Sequence, residues 1–260
     1  MMKLNLAIPS ARIQTGQSIL KQDIIFISDL HIALEKPAIT RRFLDFLEKR
    51  ATDCQSIYIL GDLFDVWIGD DDRSPPINAI KSKLRELTDS GVTIHLQQGN
   101  RDFLLGNSFC NETGVSLLPD YTVIDLQGTL TLLMHGDLLC SDDEAYQQFR
   151  IKSHSSEWQQ KVLSKPLLIR LLAARWYRIR SHFHKRKKSQ EIMDVNQTTV
   201  VDTMRQHKVF RLIHGHTHRP AVHYLEIDGQ SAQRFVLADW KKDYADILVW
   251  RKGEFSIERL

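Results

Sequence analysis

Seven side chains able to ligate a cation stand at five places in the chain: Asp29 with His31, Asp62, Asn100, His135, and His216 with His218. Each group follows a short apolar run, at 24–27, 57–60, 92–96, 130–134 and 209–212. Carboxylate and amide oxygens mixed with imidazole nitrogens, and no thiolate, suit Mn²⁺, Fe²⁺ or Zn²⁺ better than a calcium or iron–sulfur site. Seven donors are too many for one tetrahedral ion. They suit two ions roughly 3.5–4 Å apart that share a carboxylate, as in two-metal hydrolytic centres. Taken singly each residue has a plainer reading: Asp29 or Asp62 as a helix cap, Asn100 as a turn residue, His135 as a hydrogen-bonded core histidine. Chance placement of all five groups at the ends of apolar runs is the weaker explanation. Residues two apart on extended backbone share a face, so a strand running into Gly-His-Thr-His is expected to aim His216 and His218 at one spot.

The apolar runs read as buried strands, and open α/β sheets bind ligands at the carboxyl ends of their strands. Residues 37–50 are amphipathic, with Ile39, Phe43, Phe46 and Leu47 on one stripe, and predict a helix; 77–88 predict another. Short strands are expected at 115–125 around Pro119, then a helical and basic stretch from Asp142 to about Met204, then strands at 222–227, 235–238 and 247–250. Asp70, Asp71 and Asp72 read as a solvated acidic turn. Alternating β and α units followed by later strands, with no Gly-x-Gly-x-x-Gly, predict a layered α/β sandwich rather than a Rossmann fold.

At 260 residues and 42% hydrophobic, the chain can bury the core of one large domain. The expected division is a leader over 1–22, ordered or not, and a domain over 23–260 with a helical insertion at about 150–190. Charge is uneven: 150–190 holds twelve Lys and Arg against Glu157 alone, a net +11, while the rest is −8 and the whole +3. Cys54, Cys110 and Cys140 are too few and dispersed for a disulfide framework, and an odd count favours reduced thiols and a cytoplasmic protein. No stretch reaches the eighteen or so apolar residues that spanning a bilayer requires.

Asp-x-His, Gly-Asp, Gly-Asn-x-Asp, His-Gly-Asp and Gly-His-x-His together resemble the calcineurin-like metallophosphoesterase superfamily across most of the chain. The resemblance implies an αββα sandwich in which Asp29, His31, Asp62 and His218 hold one ion and Asp62, Asn100, His135 and His216 the other, with Asp62 as the bridge. One departure narrows the chemistry. Many members carry His after Gly-Asn, as proton donor to an alkoxide leaving group, whereas here Arg101 stands there. Arginine cannot release its proton near neutrality, but its fork holds phosphate oxygens at two points. The leaving group should then need no proton. A phosphate monoester, with a second pKa of about 6, fits, so pyrophosphate cleavage is the economical inference.

Longer stretches, Tyr58-Ile-Leu-Gly-Asp-Leu-Phe-Asp65, Gly99-Asn-Arg-Asp-Phe-Leu104, Asp142-Asp-Glu-Ala-Tyr-Gln-Gln-Phe-Arg150 and Ile213-His-Gly-His-Thr-His-Arg219, look like the UDP-2,3-diacylglucosamine diphosphatases of lipid A biosynthesis. That resemblance covers about residues 23 to 250. It implies two Mn²⁺ per subunit and hydroxide attack on the α-phosphorus, releasing UMP and 2,3-diacylglucosamine 1-phosphate, with Asp62, Arg101 and His216 in the reaction. Substrate contacts would fall on Asn100, Arg101, Asp143, Ser181, Lys188, His216 and the position of Lys185, where the family usually has Asn. A monomer is expected.

Within the basic stretch Leu168, Leu171, Leu172, Trp176 and Ile179 recur at helical spacing, with Arg170, Arg175, Arg178 and Arg180 on or beside the other faces. The plain reading is a cap packed on the body. A basic amphipathic helix with Trp also binds anionic membranes, and a doubly acylated substrate resides in one. The expectation is a segment that lines an acyl-chain groove and docks on the cytoplasmic leaflet of the inner membrane, holding the protein there peripherally. A nuclease or cyclic-nucleotide phosphodiesterase would instead make it a nucleic-acid patch, but Trp158, Trp176, Tyr177 and Phe183 lie among aliphatics rather than along an open basic groove, so no nucleic-acid partner is expected. A catalytically dead scaffold is the other alternative, and seven intact donors argue against it.

Overall fold

A computed structural model describes residues 23–185 and 194–260, with side chains from 177 to 185 excepted. The leader and Lys188 lie outside the described residues, and the side chains of Arg178, Ile179, Arg180, Ser181, Phe183 and Lys185, like that of Tyr177, are also outside them.

The first half alternates strand and helix: β1 (Asp23–Ile27), α1 (Pro37–Lys49), β2 (Cys54–Leu60), α2 (Pro75–Asp89), β3 (Thr93–Gln97), α3 (Asn107–Thr113) and β4 (Ser116–Leu118). At Pro119 the chain crosses to a second sheet, with β5 (Thr122–Leu126) and β6 (Thr129–Leu133). Four helices follow: α4 (Glu144–Ser153), α5 (Ser156–Leu163), α6 (Leu167–Lys185) and α7 (Gln197–Gln206). The chain closes with β7 (Arg211–His214), β8 (Ala221–Ile227), β9 (Gln230–Val236), β10 (Asp246–Arg251) and β11 (Glu254–Arg259). The first sheet has the order β11-β10-β1-β2-β3-β4 and the second β5-β6-β7-β9-β8.

Strand side chains alternate between faces, and in β1 the alternation sorts them into two cores. Ile25 and Ile27 pack under the helices with Phe43 of α1 and Ile80 of α2, while Phe26 faces the second sheet with Leu133, Ile213 and Phe235. On the far side of the second sheet, Leu132 and Leu212 meet Val200 and Met204 of α7. Both faces of the central strands of both sheets are thus covered, giving the expected αββα sandwich and leaving the strand ends as the place where polar groups can gather. Truncating Phe26 to Ala in such a core costs about 3–5 kcal/mol.

Three expectations need correction. β7 ends at His214, so the two histidines that follow are in a loop rather than on extended backbone. The acidic turn is not simply solvated: Asp70 accepts from Trp67 Nε1 (3.0 Å), Gly106 N (3.1 Å) and Phe109 N (2.9 Å), and Asp72 from Ser74 N (2.9 Å). Asp71 is paired with Arg170. That pairing takes Arg170 out of the basic rim expected on α6. Arg170, 6% exposed, points at the body and donates to Ile68 O, to Lys165 O (2.8 Å) and to both Asp71 oxygens, while Leu168 and Trp176 are 65% and 61% exposed. β11 was not foreshadowed, because an edge strand with Ile257 exposed carries no core signal.

Candidate metal centre

Backbone hydrogen bonds stitch the ligand-bearing loops together. Asp29 N donates to Gly61 O (3.2 Å) and His31 N to Asp62 O (2.9 Å), which joins the loops after β1 and β2. The buried Asp102 carboxylate accepts from Gly99 N (2.7 Å), Asp62 N (3.3 Å) and Phe64 N (3.2 Å), which joins those after β2 and β3. Gly99 permits this approach, since a Cβ there would collide with the Asp62 carboxylate. The second sheet is tied in where Gly215 N donates to His135 O (2.8 Å) and His216 N to Asp29 Oδ2 (2.8 Å).

The backbone is strained where the donors are. Asp29, His31, Asp62, His216 and His218 all have positive φ, between 51° and 69°. A residue with a Cβ pays roughly 1–2 kcal/mol for that conformation; it persists where the surroundings over-determine it, most often at functional sites. The other described non-glycine residues with positive φ are Gln127, Asp228 and Lys252, each before a hairpin glycine, and Lys208, just past α7. Left-handed backbone also sends His216 and His218 apart rather than to one spot, one into each of two groups.

In the first group His31 Nε2 and His218 Nε2 are 3.2 Å apart, and Asp29 Oδ1 lies 3.3 Å from His218 Nε2 and 3.9 Å from His31 Nε2. In the second, Asn100 Oδ1 lies 3.1 Å from both His135 Nε2 and His216 Nδ1, which are 3.2 Å from each other. Asp62 stands between them, with Oδ2 3.7 Å from His31 Nδ1 and Oδ1 3.8 Å from His135 Nε2. Outer partners orient the rings: His135 Nδ1 donates to Leu60 O (2.8 Å), and His218 Nδ1 faces Asp239 Oδ2 (3.3 Å). Both rings thereby turn Nε2 inward, the usual way a histidine ligand is held.

This donor set fits a pair of cations. Asp29 Oδ1 is buried and accepts no conventional hydrogen bond, and the inward nitrogens converge on oxygens and on one another. Without cations, protons must do the neutralising. Burial pushes Asp62 up to about 7, and Asp102 and Asp29 push the same way against the pull of His135. Burial opposes a charge on His135, but Asp62 and Asp29 outweigh it and raise that ring to about 9. His218 likewise rises to about 9, as Asp239 and Asp29 overcome its burial.

Other nominated residues are placed as follows. Arg101 N donates to Asp62 Oδ1 (2.9 Å), and among the described residues its guanidinium has no hydrogen-bond partner. Asp143 caps α4 by accepting from Tyr146 N (3.1 Å), and the Tyr146 ring lies 6.3 Å from that of His216. Ser181 and Lys185 are on α6, described by backbone alone. Sequence reasoning gave no role to Asp102, Asp239 or the Asp137 carboxylate, which accepts from Arg150 Nε (2.6 Å) and Tyr146 Oη (2.5 Å). Asp239 carried a usable signal, because it too follows an apolar run, 235–238.

The sequence model of the family described as calcineurin-like phosphoesterase matches residues 23–220. A UDP-2,3-diacylglucosamine hydrolase of Haemophilus influenzae is 48% identical over 232 residues, spanning 89% of this chain and 96% of the relative. One of Pseudomonas aeruginosa is 49% identical over 221 residues, spanning 84% and 91%. One of Photobacterium profundum is 47% identical over 216 residues, spanning 83% and 88%. Strained ligand loops explain how such a centre is built, and identity of this extent shows what it is built for: the chain belongs to the calcineurin-like phosphoesterase family and, within it, to the family of the UDP-2,3-diacylglucosamine hydrolases.

Proposed function

We propose that this chain hydrolyses the diphosphate of UDP-2,3-diacylglucosamine to UMP and 2,3-diacylglucosamine 1-phosphate, a step of lipid A biosynthesis. The convergence of seven donors beside Arg101, whose guanidinium has no hydrogen-bond partner among the described residues and whose charge acts on His31 and Asp62, in a chain nearly half identical to hydrolases of that name, carries the reading. Asp29, His31, Asp62 and His218 would hold one cation and Asp62, Asn100, His135 and His216 the other, with Asp62 shared; the mixed oxygen and imidazole set suits Mn²⁺. Such a pair, when bound, supplies Lewis acidity that polarises the phosphoryl oxygens and acidifies the attacking water.

The protein's own groups do the rest. Arg101 holds the phosphate oxygens and offsets charge as it develops on them. His135 and His218, oriented by Leu60 O and Asp239, keep their Nε2 atoms aimed inward. The leaving group, a sugar 1-phosphate, departs without a proton, which agrees with an arginine where an acid would otherwise be needed. Asp143, Ser181, Lys185 and Lys188 are proposed as further substrate contacts. The outward leucines and Trp176 of α6, with the cations beside them, are proposed to meet the membrane that carries the substrate, peripherally and on its cytoplasmic side.

The test is an assay of metal-stripped protein, reloaded with Mn²⁺, on UDP-2,3-diacylglucosamine beside bis-p-nitrophenyl phosphate and single-stranded DNA. UMP released from the glycolipid alone is the expected result. Comparable cleavage of the diester or the DNA would replace this reading with a general phosphodiesterase or nuclease.

A further inference from the structure

The loop that carries His216 and His218 is held from behind by two residues outside the donor set. His214, the last residue of β7, is fully buried, and Arg234 of β9 is 3% exposed. Arg234 Nη1 lies 3.1 Å from His214 Nε2, and His214 Nδ1 lies 2.9 Å from Gly215 O. A guanidinium only donates. His214 Nε2 must therefore accept, its ring proton must sit on Nδ1, and that N–H donates to the Gly215 carbonyl.

The carbonyl so gripped sits at the root of the ligand loop. Gly215 O also accepts from Thr217 N (2.8 Å), and Gly215 N donates to His135 O (2.8 Å). A side chain at 215 would strike Ser28 and Asp29, so this peptide lies close against the β1 loop. Rotating this carbonyl would swing His216 out of the second donor group and His218 out of the first.

Arg234 is an odd choice if stability is its purpose. Its Nε has no partner, and among the described residues the imidazole is the one hydrogen-bond partner of its guanidinium. A buried cation bonded to no carboxylate destabilises a fold. What it does secure is the identity of the protonated nitrogen on His214.

We propose that Arg234 is a positioning residue of the metal centre: by dictating the tautomer of His214 it fixes the Gly215 carbonyl, and through it the loop that delivers one imidazole to each cation. The inference rests on the two-cation reading above. It implies a separation of effects, with metal affinity depending on Arg234 and folding not.

The experiment compares the full-length protein with R234M, which removes the donor and the buried charge, and R234K, which keeps a donor. Long-range proton–nitrogen correlation spectra of metal-free, histidine-labelled protein should show His214 protonated on Nδ1 in the wild type. Titration with Mn²⁺, followed by the electron paramagnetic resonance of free manganese, should show affinity falling by about 10- to 100-fold in R234M, the usual effect of losing an outer partner, and largely restored in R234K. The unfolding temperature of R234M should stay level or rise. A His214 proton on Nε2 in the wild type, or unchanged Mn²⁺ affinity in R234M, would overturn the proposal; so would a loss of stability or of folding in R234M, which would make the role structural. Absence of Mn²⁺ binding by the wild type would instead break the two-cation reading itself.

Discussion

Asp29, Asp62 and Asp102 are all sealed from water within one cluster of loops, and three buried acids repel one another unless something positive lies among them. Asp62 faces a histidine of each donor group, so its loss should be felt by both. In D62A, metal content measured by mass spectrometry should fall below two ions per chain, and UMP release by more than about 100-fold, beyond what losing an outer partner costs. Arg101 should behave differently. Its side chain makes no described contact with the donors, so R101A should keep its metal content and lose about 100- to 1000-fold in kcat, as when one donor to a developing anion is removed. R101K, with charge but no fork, should fall between; equal metal loss in R101A would instead place the side chain among the ligands. The seven donors were legible because each ends an apolar run. The left-handed backbone at five of them was not, since it is imposed by tertiary hydrogen bonds such as that from His31 N to Asp62 O. Asp102 escaped for the same reason, since an orienting carboxylate is defined by what approaches it, whereas Asp239 ends an apolar run like the donors and could have been found by the same rule.

Helices α1 and α2 obey the amphipathic rule and were visible from their apolar stripes, whereas α6 breaks it. It turns Arg170 to the body, because Ile68 O and the Asp71 carboxylate wait beneath it, and leaves Leu168 and Leu172 outward. Spacing locates the stripe without saying which way it faces. The Arg170–Asp71 pair then acts as a latch on the helix. Arg170 holds the Asp71 carboxyl below the usual carboxylate range, chiefly by hydrogen bonding. A depressed folded pKa means stabilisation that is present above the unfolded value of about 3.9 and lost as pH falls through the folded one. Amide exchange in α6, normalised to that in α1, should therefore quicken below about pH 4. D71N should show the faster exchange already at pH 7, by roughly fivefold, the upper end for a pair with one solvated partner, and should lose the acid dependence. Exchange in D71N matching the wild type at pH 7 would mean that other contacts hold the helix.

At the scale of the whole molecule, the membrane contact proposed for the outward face of α6 would have to work on the same substrate as the strand-end centre, since the diphosphate needs that centre and the two acyl chains start in a membrane. No described helix is long and apolar enough to cross a bilayer, so contact through α6 has to come from exposed side chains. Two effects compete to dominate it. Each Lys or Arg near an anionic surface contributes about 1 kcal/mol, and fully burying a leucine contributes about 1.5–3 kcal/mol. Leu168, Leu172 and Trp176 are all more than half exposed, so insertion should outweigh attraction. Arg170 is the wrong residue to probe, because it is buried against Asp71 and its loss would loosen the helix rather than discharge the surface. The informative pair is R175S against L168S/L172S, in flotation with phosphatidylglycerol vesicles at two salt concentrations. R175S should weaken binding by roughly fivefold, with most of that difference gone at high salt. The double leucine variant should weaken it by well over tenfold at both salts, because burial of apolar surface is not screened. Binding by both variants equal to the wild type would leave the basic stretch as a cap with a solvated rim, and the substrate would have to be drawn from the bilayer by some other surface.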